Sequence, residues 1–187
     1  MQTSNFIYVK RKELRCYTGA FILSIKFFIG GKVNNMVYTD LTKLAMKVAY
    51  KAHNGQKDRE GVPYIFHPAH LAEQMDDEDS CVVALLHDVV EDSDMTLDEL
   101  KALGFTRRQL EAVELLTHER IDPSLPEAER TEIYLDYIRE IKKNELARKI
   151  KIADLSHNSD RTRIANPSKM DEARFRKYEK ALEILRF

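Results

Sequence analysis

The sequence contains little cysteine, glycine or proline, and it contains no tryptophan. The two cysteines, Cys16 and Cys81, are far apart and form no Cys-x-x-Cys pair. This spacing excludes a disulfide framework and a thiolate zinc site, and it favours a reducing compartment, the cytoplasm. Only 6 Gly and 5 Pro occur in 187 residues, which disfavours the turn-rich spacing of most β-sandwiches. A helix-rich globular protein is the class that remains.

An excess of charge of either sign is also lacking. Lys and Arg number 30 against 31 Asp and Glu, so the formal net charge is -1. Without a global basic field the chain has nothing to attract nucleic acid or anionic lipid, and we expect neither a nucleic-acid partner nor a membrane partner. Any anionic ligand must be met by a local site. Nothing in the pattern specifies an oligomeric state.

Residues 1–35 differ from the rest of the chain. A basic cluster over residues 10–15 precedes an apolar run over residues 20–29, which Lys26 interrupts. The run is too short to span a bilayer, and no good cleavage site for a secretory signal follows it. We predict an N-terminal extension of the domain, with Met36 as an alternative start. An added strand or hairpin and membrane association are the other interpretations.

From residue 38 onward, apolar residues recur at the spacing of amphipathic helices, and capping residues mark the helix ends. The predicted helices cover residues 41–52, 68–75, 80–91, 131–143, 145–158 and 168–185, with short helices after Thr96 and Thr106. The helix over 80–91 is apolar on every side in its first half, as a buried helix is. No hairpin signal or repeat interrupts the series. The sequence therefore predicts one all-α domain over residues 36–187.

Four ionisable residues follow the apolar half of that helix: His87, Asp88, Glu91 and Asp92. Helical i,i+4 spacing places Glu91 above His87 and Asp92 above Asp88. Three neighbouring carboxylates in a low dielectric raise one another's pKa and resist burial, unless a cation compensates them. The pattern therefore favours a divalent metal site. A solvated end of the helix is the alternative interpretation.

A metal needs further ligands from elsewhere in the chain, and spacing alone does not choose among the candidates. These are His53, His67, His70, His118, His157 and Asp154. Pro68 restricts the backbone of His67 and can hold its imidazole toward a site. Asp154 interrupts an apolar segment and has Asn158 one turn later on the same face. A buried aspartate requires a partner, and a nearby Lys or Arg is the structural alternative to a metal.

Four segments carry a resemblance to a known family, namely residues 52–56, 61–68, 84–92 and 147–158. The histidine, His-Asp doublet and remote aspartate within them resemble the HD superfamily of metal-dependent phosphohydrolases. Together the segments are similar to the hydrolase domain of RelA/SpoT-type alarmone enzymes over most of residues 41–182. The resemblance implies an HD-domain helical bundle, a single domain with a short N-terminal extension.

The resemblance also implies roles for individual residues. It implies one divalent metal, usually Mn²⁺ in that family, held by His67, His87, Asp88 and Asp154. Glu91 and Asp92 match the pair that positions and activates the attacking water. His53 matches a residue at a helix end or behind the metal ligands, and His70 and His118 are expected to be structural or exposed.

Substrate contacts are expected from five further residues: Arg59, Lys151, Asn158, Arg161 and Tyr178. Asn158 matches a residue that contacts the nucleotide, and Tyr178 falls where small single-domain relatives place a substrate-contacting tyrosine. Tyr178 forms an apolar stripe with Leu182 and Leu185 on the last helix, and core packing explains this stripe equally well. The three basic residues are candidates to meet phosphates, although each is also explained as a solvated surface charge.

The activity that the resemblance implies is removal of the 3′-pyrophosphate from guanosine tetra- or pentaphosphate, a small-molecule nucleotide, to give GDP or GTP and pyrophosphate. Two positions depart from the family pattern. Asp58-Arg59 stands where an Arg-Lys pair is common, and Ser159-Asp160 stands where a basic residue is expected. The alternatives are therefore a phosphohydrolase acting on another nucleotide and a non-catalytic nucleotide-binding module.

Overall fold

A computed structural model describes residues 36–118, 120–164 and 166–187, so the extension predicted over residues 1–35 lies outside the described residues.

Several helices of this protein begin at a residue whose side chain caps the helix. Reciprocal capping boxes form at Thr39, Thr96, Thr106 and Ser168. Their hydroxyl oxygens accept from backbone N–H groups that the first helical turn leaves without partners, which fixes where each helix begins.

The described residues form nine α-helices and one 3₁₀ helix, with no strand among them. The α-helices are α1 (Asp40–Ala52), α2 (Phe66–Ala72), α3 (Glu78–Leu86), α4 (Val89–Asp92), α5 (Leu97–Ala102), α6 (Arg107–Leu116), α7 (Glu127–Lys142), α8 (Glu145–Asn158) and α9 (Lys169–Arg186), and the 3₁₀ helix covers Arg161–Arg163. The prediction of an all-α fold is confirmed. None of these helices has the length and apolarity that crossing a membrane requires.

Helix α3 lies at the centre of the bundle. It packs against α1, α2, α6 and α8, and every residue from Ser80 to Leu86 is buried. A helix that is apolar on all sides needs partners on all sides, and this arrangement supplies them. Helices α7, α8 and α9 pack against one another and enclose the rest of the core, in which Phe175 of α9 is fully buried.

The helix predicted over residues 80–91 is interrupted, which corrects the sequence prediction. Helix α3 ends at Leu86, and α4 begins only at Val89. Asp88 has φ -105° and ψ -1°, outside the values of a regular α-helix. No glycine or proline marks this turn. Side-chain contacts of His87 and Asp88, described below, outweigh the local helical propensity at this point.

Two helices begin earlier than the sequence predicts. Helix α2 begins at Phe66, so Pro68 lies in its first turn. Backbone N–H groups in the first turn have no acceptor within the helix, so the missing N–H of proline costs nothing there. Helix α7 begins at Glu127, directly after Pro126 and one turn before the predicted Thr131. An acidic residue in the first turn interacts favourably with the partial positive charge of a helix N-terminus.

The loop between α1 and α2 is tied to the C-terminal part of the molecule by two ion pairs. Nη1 of Arg59 lies 2.8 Å from Oδ1 of Asp171 in α9, and Nη2 of Arg163 lies 3.4 Å from Oδ2 of Asp58. These links hold the loop beside α8 and α9, where it forms one wall of the cavities described next.

Candidate metal centre and nucleotide cleft

Residues from three parts of the fold converge on one buried point. His67 comes from α2, His87 from the turn between α3 and α4, and Asp154 from α8; one ligand atom of each lies within 4.8 Å of the others. All three are at least 95% buried, with exposures of 5%, 1% and 5%. Oδ2 of Asp88 lies 2.9 Å from Nε2 of His87 and 3.9 Å from Nε2 of His67. The structure therefore brings together the four residues predicted as metal ligands.

His87 presents its Nε2 atom to this cluster. Its Nδ1 atom lies 2.8 Å from the carbonyl oxygen of Ala84, which can only accept, so Nδ1 carries a proton. Burial lowers the pKa of His87, but the adjacent Asp88 outweighs burial and raises this pKa to about 9. The carboxylates therefore favour a positive charge at Nε2, which either a proton or a metal ion can supply.

His67 is oriented by His157, which lies behind it. The Nδ1 atoms of the two rings are 2.8 Å apart, and Nη1 of Arg163 lies 3.3 Å from the same nitrogen of His157. A guanidinium can only donate, so the contact with Arg163 favours the tautomer in which Nδ1 of His157 accepts and Nδ1 of His67 donates. Nε2 of His67 therefore keeps its lone pair, 3.3 Å from Oδ1 of Asp154.

The ligand atoms fit a divalent cation. Nε2 of His67 and Nε2 of His87 are buried, and neither makes a hydrogen bond within the described part of the chain, despite the carboxylate oxygens beside them. Buried polar atoms are normally satisfied, so these two nitrogens are available to a ligand from outside the chain. Two imidazoles and two carboxylates form a donor set that suits a borderline divalent ion.

Two residues predicted to meet substrate contact Asp154 in the structure. Nζ of Lys151 lies 3.0 Å from Oδ2 of Asp154, and Nδ2 of Asn158 donates to Oδ1 at 2.5 Å. Burial alone would raise the pKa of Asp154, but Lys151 and His67 hold it well below its usual range. Both Lys151 and Asn158 also line the cleft, so their contact with Asp154 fixes where they can meet a ligand.

Tyr64 is a site residue that the sequence analysis does not assign. Its hydroxyl donates to Oδ2 of Asp88 at 2.5 Å, and burial together with that carboxylate raises the pKa of Tyr64. The tyrosine therefore stays protonated and holds Asp88 in place. Its position three residues before His67, within one of the family-like segments, is the signal that could have indicated it.

His53 lies at the end of α1, as the resemblance implies, and belongs to the surroundings of the cluster. Its Nδ1 atom lies 2.8 Å from Oε1 of Gln56, whose amide nitrogen donates to the backbone oxygen of Asp92. Through Gln56, the loop after α1 contacts the end of α4. His70 is exposed, as expected, and its ring lies 4.5 Å from that of His157.

Glu91 and Asp92 occupy α4 and are exposed to solvent in the cleft. Oε2 of Glu91 accepts from the backbone N–H of His118 at 3.1 Å. Enclosure by the surrounding protein, with the charge of Asp88 added, raises the pKa of both carboxyl groups. A carboxylate whose pKa is raised is a better proton acceptor near neutral pH than one at its usual pKa.

Two of the cavities that adjoin the cluster share three lining residues. The cleft, about 340 Å³, is bordered by the carboxylates of α4, by Lys151 and by tyrosines of α7. The side pocket, about 310 Å³, is bordered by the α1–α2 loop and by Arg163 and Arg174. Tyr64, Asn158 and Tyr178 line both cavities. Their volumes lie at the lower end of the range for small-molecule sites, and both cavities lie beside the cluster.

Two arginines predicted to bind substrate occupy different positions relative to these cavities. Arg59 lines the side pocket while paired with Asp171. Arg161 instead pairs with Glu172, at 2.6 Å, and is not among the residues that line the side pocket or the cleft. Arg163, two residues further along, lines the side pocket and points its guanidinium toward His157.

Asp58, one of the departures from the family pattern, forms a turn. Its Oδ1 atom accepts from the backbone N–H groups of Glu60 and Val62, at 3.0 and 2.9 Å. Gly61 in this turn has φ +81°, a conformation that glycine adopts at no steric cost. The acid therefore stabilises the loop and neutralises part of the charge of Arg163.

Comparisons with known proteins agree with this arrangement. The chain is 34% identical over 142 residues to the human guanosine-3′,5′-bis(diphosphate) 3′-pyrophosphohydrolase MESH1, covering 72% of this chain and 76% of that protein. It is 51% identical over 59 residues to the chloroplastic protein RSH1 of Oryza sativa subsp. japonica, covering 29% of this chain but only 7% of that protein. No family model matches the chain.

A solved structure shows the same fold. It is described as a metazoan ortholog of SpoT that hydrolyzes ppGpp and plays a role in starvation responses. It superposes with a TM-score of 0.64 at 25% identity and covers 81% of this chain and 89% of that chain. Sequence similarity over most of the human relative and the shared fold agree, and the chain belongs to the HD-type guanosine-3′,5′-bis(diphosphate) 3′-pyrophosphohydrolase family that includes MESH1.

Proposed function

We propose that this protein hydrolyses the 3′-pyrophosphate of guanosine tetra- or pentaphosphate and releases GDP or GTP with pyrophosphate. The observation that carries the proposal is the convergence of His67, His87 and Asp154 on one buried point, beside the exposed carboxylates of α4. The substrate class comes from the human relative and from the metazoan structure, which are described as acting on this nucleotide.

The cofactor we propose is one Mn²⁺ ion held by four residues, His67, His87, Asp88 and Asp154. The protein supplies two nitrogen and two oxygen donors. A borderline divalent ion bound by them keeps coordination positions open for a phosphate oxygen and for water. When bound, such an ion neutralises charge on the phosphoryl oxygens and makes water more acidic. Tyr64 contributes by fixing the orientation of Asp88 through its hydroxyl.

Glu91 and Asp92 are proposed to position the attacking water and to accept its proton. Their carboxylates lie in the cleft near the cluster, and their raised pKa values suit proton transfer near neutral pH. The backbone N–H of His118 donates to one oxygen of Glu91 and so helps to hold this carboxylate in the cleft. In this role, neither carboxylate has to coordinate the metal itself.

The nucleoside is proposed to occupy the side pocket. Arg59 and Arg163 border that pocket and offer positive charge to the 5′-phosphates, while Asn158 and Tyr178 lie at the junction with the cleft. The cytoplasm remains our expectation for its location, since the chain contains only 2 cysteines. A small-molecule nucleotide is the proposed partner, and we expect no nucleic acid or membrane to bind.

Pyrophosphate release from guanosine tetraphosphate tests the function. Purified protein with Mn²⁺ is compared with EDTA-treated protein, with Asp88→Ala and with Asp94→Ala, an exposed aspartate two residues beyond α4. We expect Asp88→Ala to lose at least about 10³-fold in rate, because its removal disrupts the ligand set, and Asp94→Ala to match the wild type. Release that survives both EDTA and Asp88→Ala would contradict the proposal.

A second candidate is hydrolysis of another nucleotide by the same residues. It is favoured by Asp58 and Asp160, two acids that line the side pocket where the family pattern has basic residues. A panel of ordinary nucleotides in the same assay separates the two functions. Turnover of another nucleotide without turnover of guanosine tetraphosphate would transfer the function to this candidate, and binding without any turnover would indicate a nucleotide-binding module.

A further inference from the structure

One part of the cleft wall is basic and aromatic, and the roles assigned above leave two of its residues unused. These are Tyr134 on α7 and Lys177 on α9. Nζ of Lys177 lies 4.3 Å from the centre of the Tyr134 ring, so the two side chains form one unit across the α7–α9 contact. Neither residue belongs to the segments that resemble the alarmone hydrolases.

The hydroxyl of Tyr134 is buried without a partner. The residue is only 9% exposed, and its oxygen makes no hydrogen bond within the described residues. The neighbouring Tyr137 differs, because its hydroxyl donates to the carbonyl oxygen of Leu116 at 2.7 Å. Buried hydroxyl groups in proteins are normally satisfied. A tyrosine that lines a cleft with a spare donor is therefore suited to an acceptor that the ligand brings.

Lys177 has no acidic partner among the residues that the structure describes, in contrast to the two cations near it. Lys151 is paired with a carboxylate of α8, and Arg174 is paired with a carboxylate of α9. Burial lowers the pKa of Lys177, and the charges of Lys151, Arg174 and Arg130 lower it further. A partly buried ammonium group among like charges is stabilised by an anion that comes from outside the chain.

We propose that Tyr134 and Lys177 form a subsite for the second phosphate group of the 3′-pyrophosphate, the one that is not attacked. This inference rests on the proposed function, which places the reacting phosphorus at the cluster and the nucleoside in the side pocket. The remaining phosphate then extends along the cleft, where α4 offers carboxylates that repel it. Tyr134 and Lys177 offer a hydroxyl donor and a positive charge, the two groups that a phosphate anion requires.

Binding of inorganic pyrophosphate, measured by calorimetry on the Mn²⁺-loaded protein, tests the subsite. Tyr134→Phe removes only one oxygen, Lys177→Met removes only the charge, and Lys180→Met removes an exposed charge from the same helix as a control. We expect pyrophosphate affinity to fall about tenfold or more in the first two variants, as for hydrogen bonds to charged groups. Affinity for orthophosphate should change less than about twofold, because orthophosphate is expected at the cluster alone.

The outcomes separate the subsite from the function. Unchanged pyrophosphate affinity in both variants, in a protein that hydrolyses guanosine tetraphosphate, would overturn the subsite and leave the function intact. Loss of GDP affinity in place of pyrophosphate affinity would also overturn it, because the pair would then serve the 5′-phosphates. If the wild type does not hydrolyse guanosine tetraphosphate but binds pyrophosphate through both residues, the subsite stands and the function fails.

Discussion

The protonation of one ring nitrogen decides how His67 meets the cluster. Arg163 favours the tautomer in which Nδ1 of His157 accepts, and in that tautomer Nδ1 of His67 carries the proton. Hydrogen bonds of this kind fix the tautomer of a metal-binding histidine and raise its basicity. His157 therefore acts on the candidate metal through another residue, as a positioning residue.

We expect His157→Ala to weaken Mn²⁺ binding about 10- to 100-fold, the range found when such partners of ligating histidines are removed. His157→Gln should recover part of the loss, since its amide oxygen can accept from His67. Equilibrium dialysis with Mn²⁺ measures both variants without reference to activity. His70→Ala, which removes a ring that contacts His157 but not His67, is the control. Equal affinity in the wild type and His157→Ala would contradict this role.

The residue types explain which parts of the site the sequence could predict. His87 and Asp88 directly follow a buried apolar run, and ionisable groups in such a place need a compensating charge, so the sequence indicates a metal there. Tyrosine and lysine occur throughout the chain, with 8 tyrosines in all. The importance of Tyr64, Tyr134 and Lys177 depends on burial and on neighbours from distant helices, which spacing along the chain does not reveal.

At the scale of elements, the N-terminus of the central helix depends on one aspartate. Oδ1 of Asp77 accepts from the backbone N–H of Ser80 at 2.8 Å, and Oδ2 lies 2.9 Å from Nζ of Lys149 in α8. Burial would raise the pKa of Asp77, but the bonds from Ser80 and Lys149 outweigh it and lower this pKa to about 2.

Asp77→Ala is expected to lower the free energy of unfolding by about 1 kcal/mol at pH 7, because α3 loses its cap. Asp77→Asn should lose less, since an asparagine oxygen also caps. The folded-state pKa lies below the unfolded one, so the contribution of the charge is complete above about pH 4 and declines as the pH falls toward 2. Urea unfolding at pH 7 and pH 3 measures this, and a difference between wild type and Asp77→Ala that grows at pH 3 would contradict it.

The end of α5 depends on a glycine conformation. Gly104 has φ +95°, and a Cβ added there would meet no atom within 4 Å. Gly104→Ala therefore measures the cost of this backbone conformation for alanine without an added steric clash. We expect it to lower the free energy of unfolding by about 1 kcal/mol. Gly104→Asn should be milder, because asparagine tolerates this region better. Thermal unfolding of the three proteins measures the order, and an alanine variant as stable as the wild type would refute it.

Helix boundaries show where local signals suffice. The hydroxyl caps Thr96 and Thr106 were predicted from spacing alone, because a capping box is contained within four residues. Spacing alone does not predict the break between Leu86 and Val89, where Asp88 accepts a hydrogen bond from Tyr64, a residue distant in the chain. Local spacing therefore predicts a helix start where a capping box forms, and prediction loses accuracy where no side-chain cap is present or where tertiary contacts override propensity.

At the scale of the whole molecule, the candidate ligands link α2, α8 and the turn that follows α3. An ion that binds only the folded state stabilises it, by about 2.7 kcal/mol at a concentration 100 times its dissociation constant. For a chain of this size we therefore expect Mn²⁺ to raise the melting temperature by roughly 5 to 10 °C. Asp88→Ala should show almost no increase. Equal shifts in both proteins, measured by differential scanning fluorimetry, would argue against this site.

The start of the domain, predicted at residue 36, also concerns the whole molecule. Met36 and Val37 pack against the core, and Sγ of Cys81 lies 3.9 Å from the backbone oxygen of Val37. We expect a chain that starts at Met36 to match the melting temperature and activity of the full chain. A chain that starts at Thr39 should lose about 1 to 3 kcal/mol of stability with those apolar contacts. A full chain that is clearly more stable than the shorter one would assign residues 1–35 to the domain.

The residues of the site come from distant parts of the chain. His67 contacts His157, 90 residues later, and Lys177 lies on α9. During synthesis from the N-terminus, α1 to α4 emerge before α8 and α9 exist. The nascent chain therefore carries its carboxylates and one pair of histidines long before Asp154 can complete the set. A nascent chain therefore acquires the complete candidate site only after α8 has been synthesised, and a chain that stops before Asp154 lacks one of the predicted ligands.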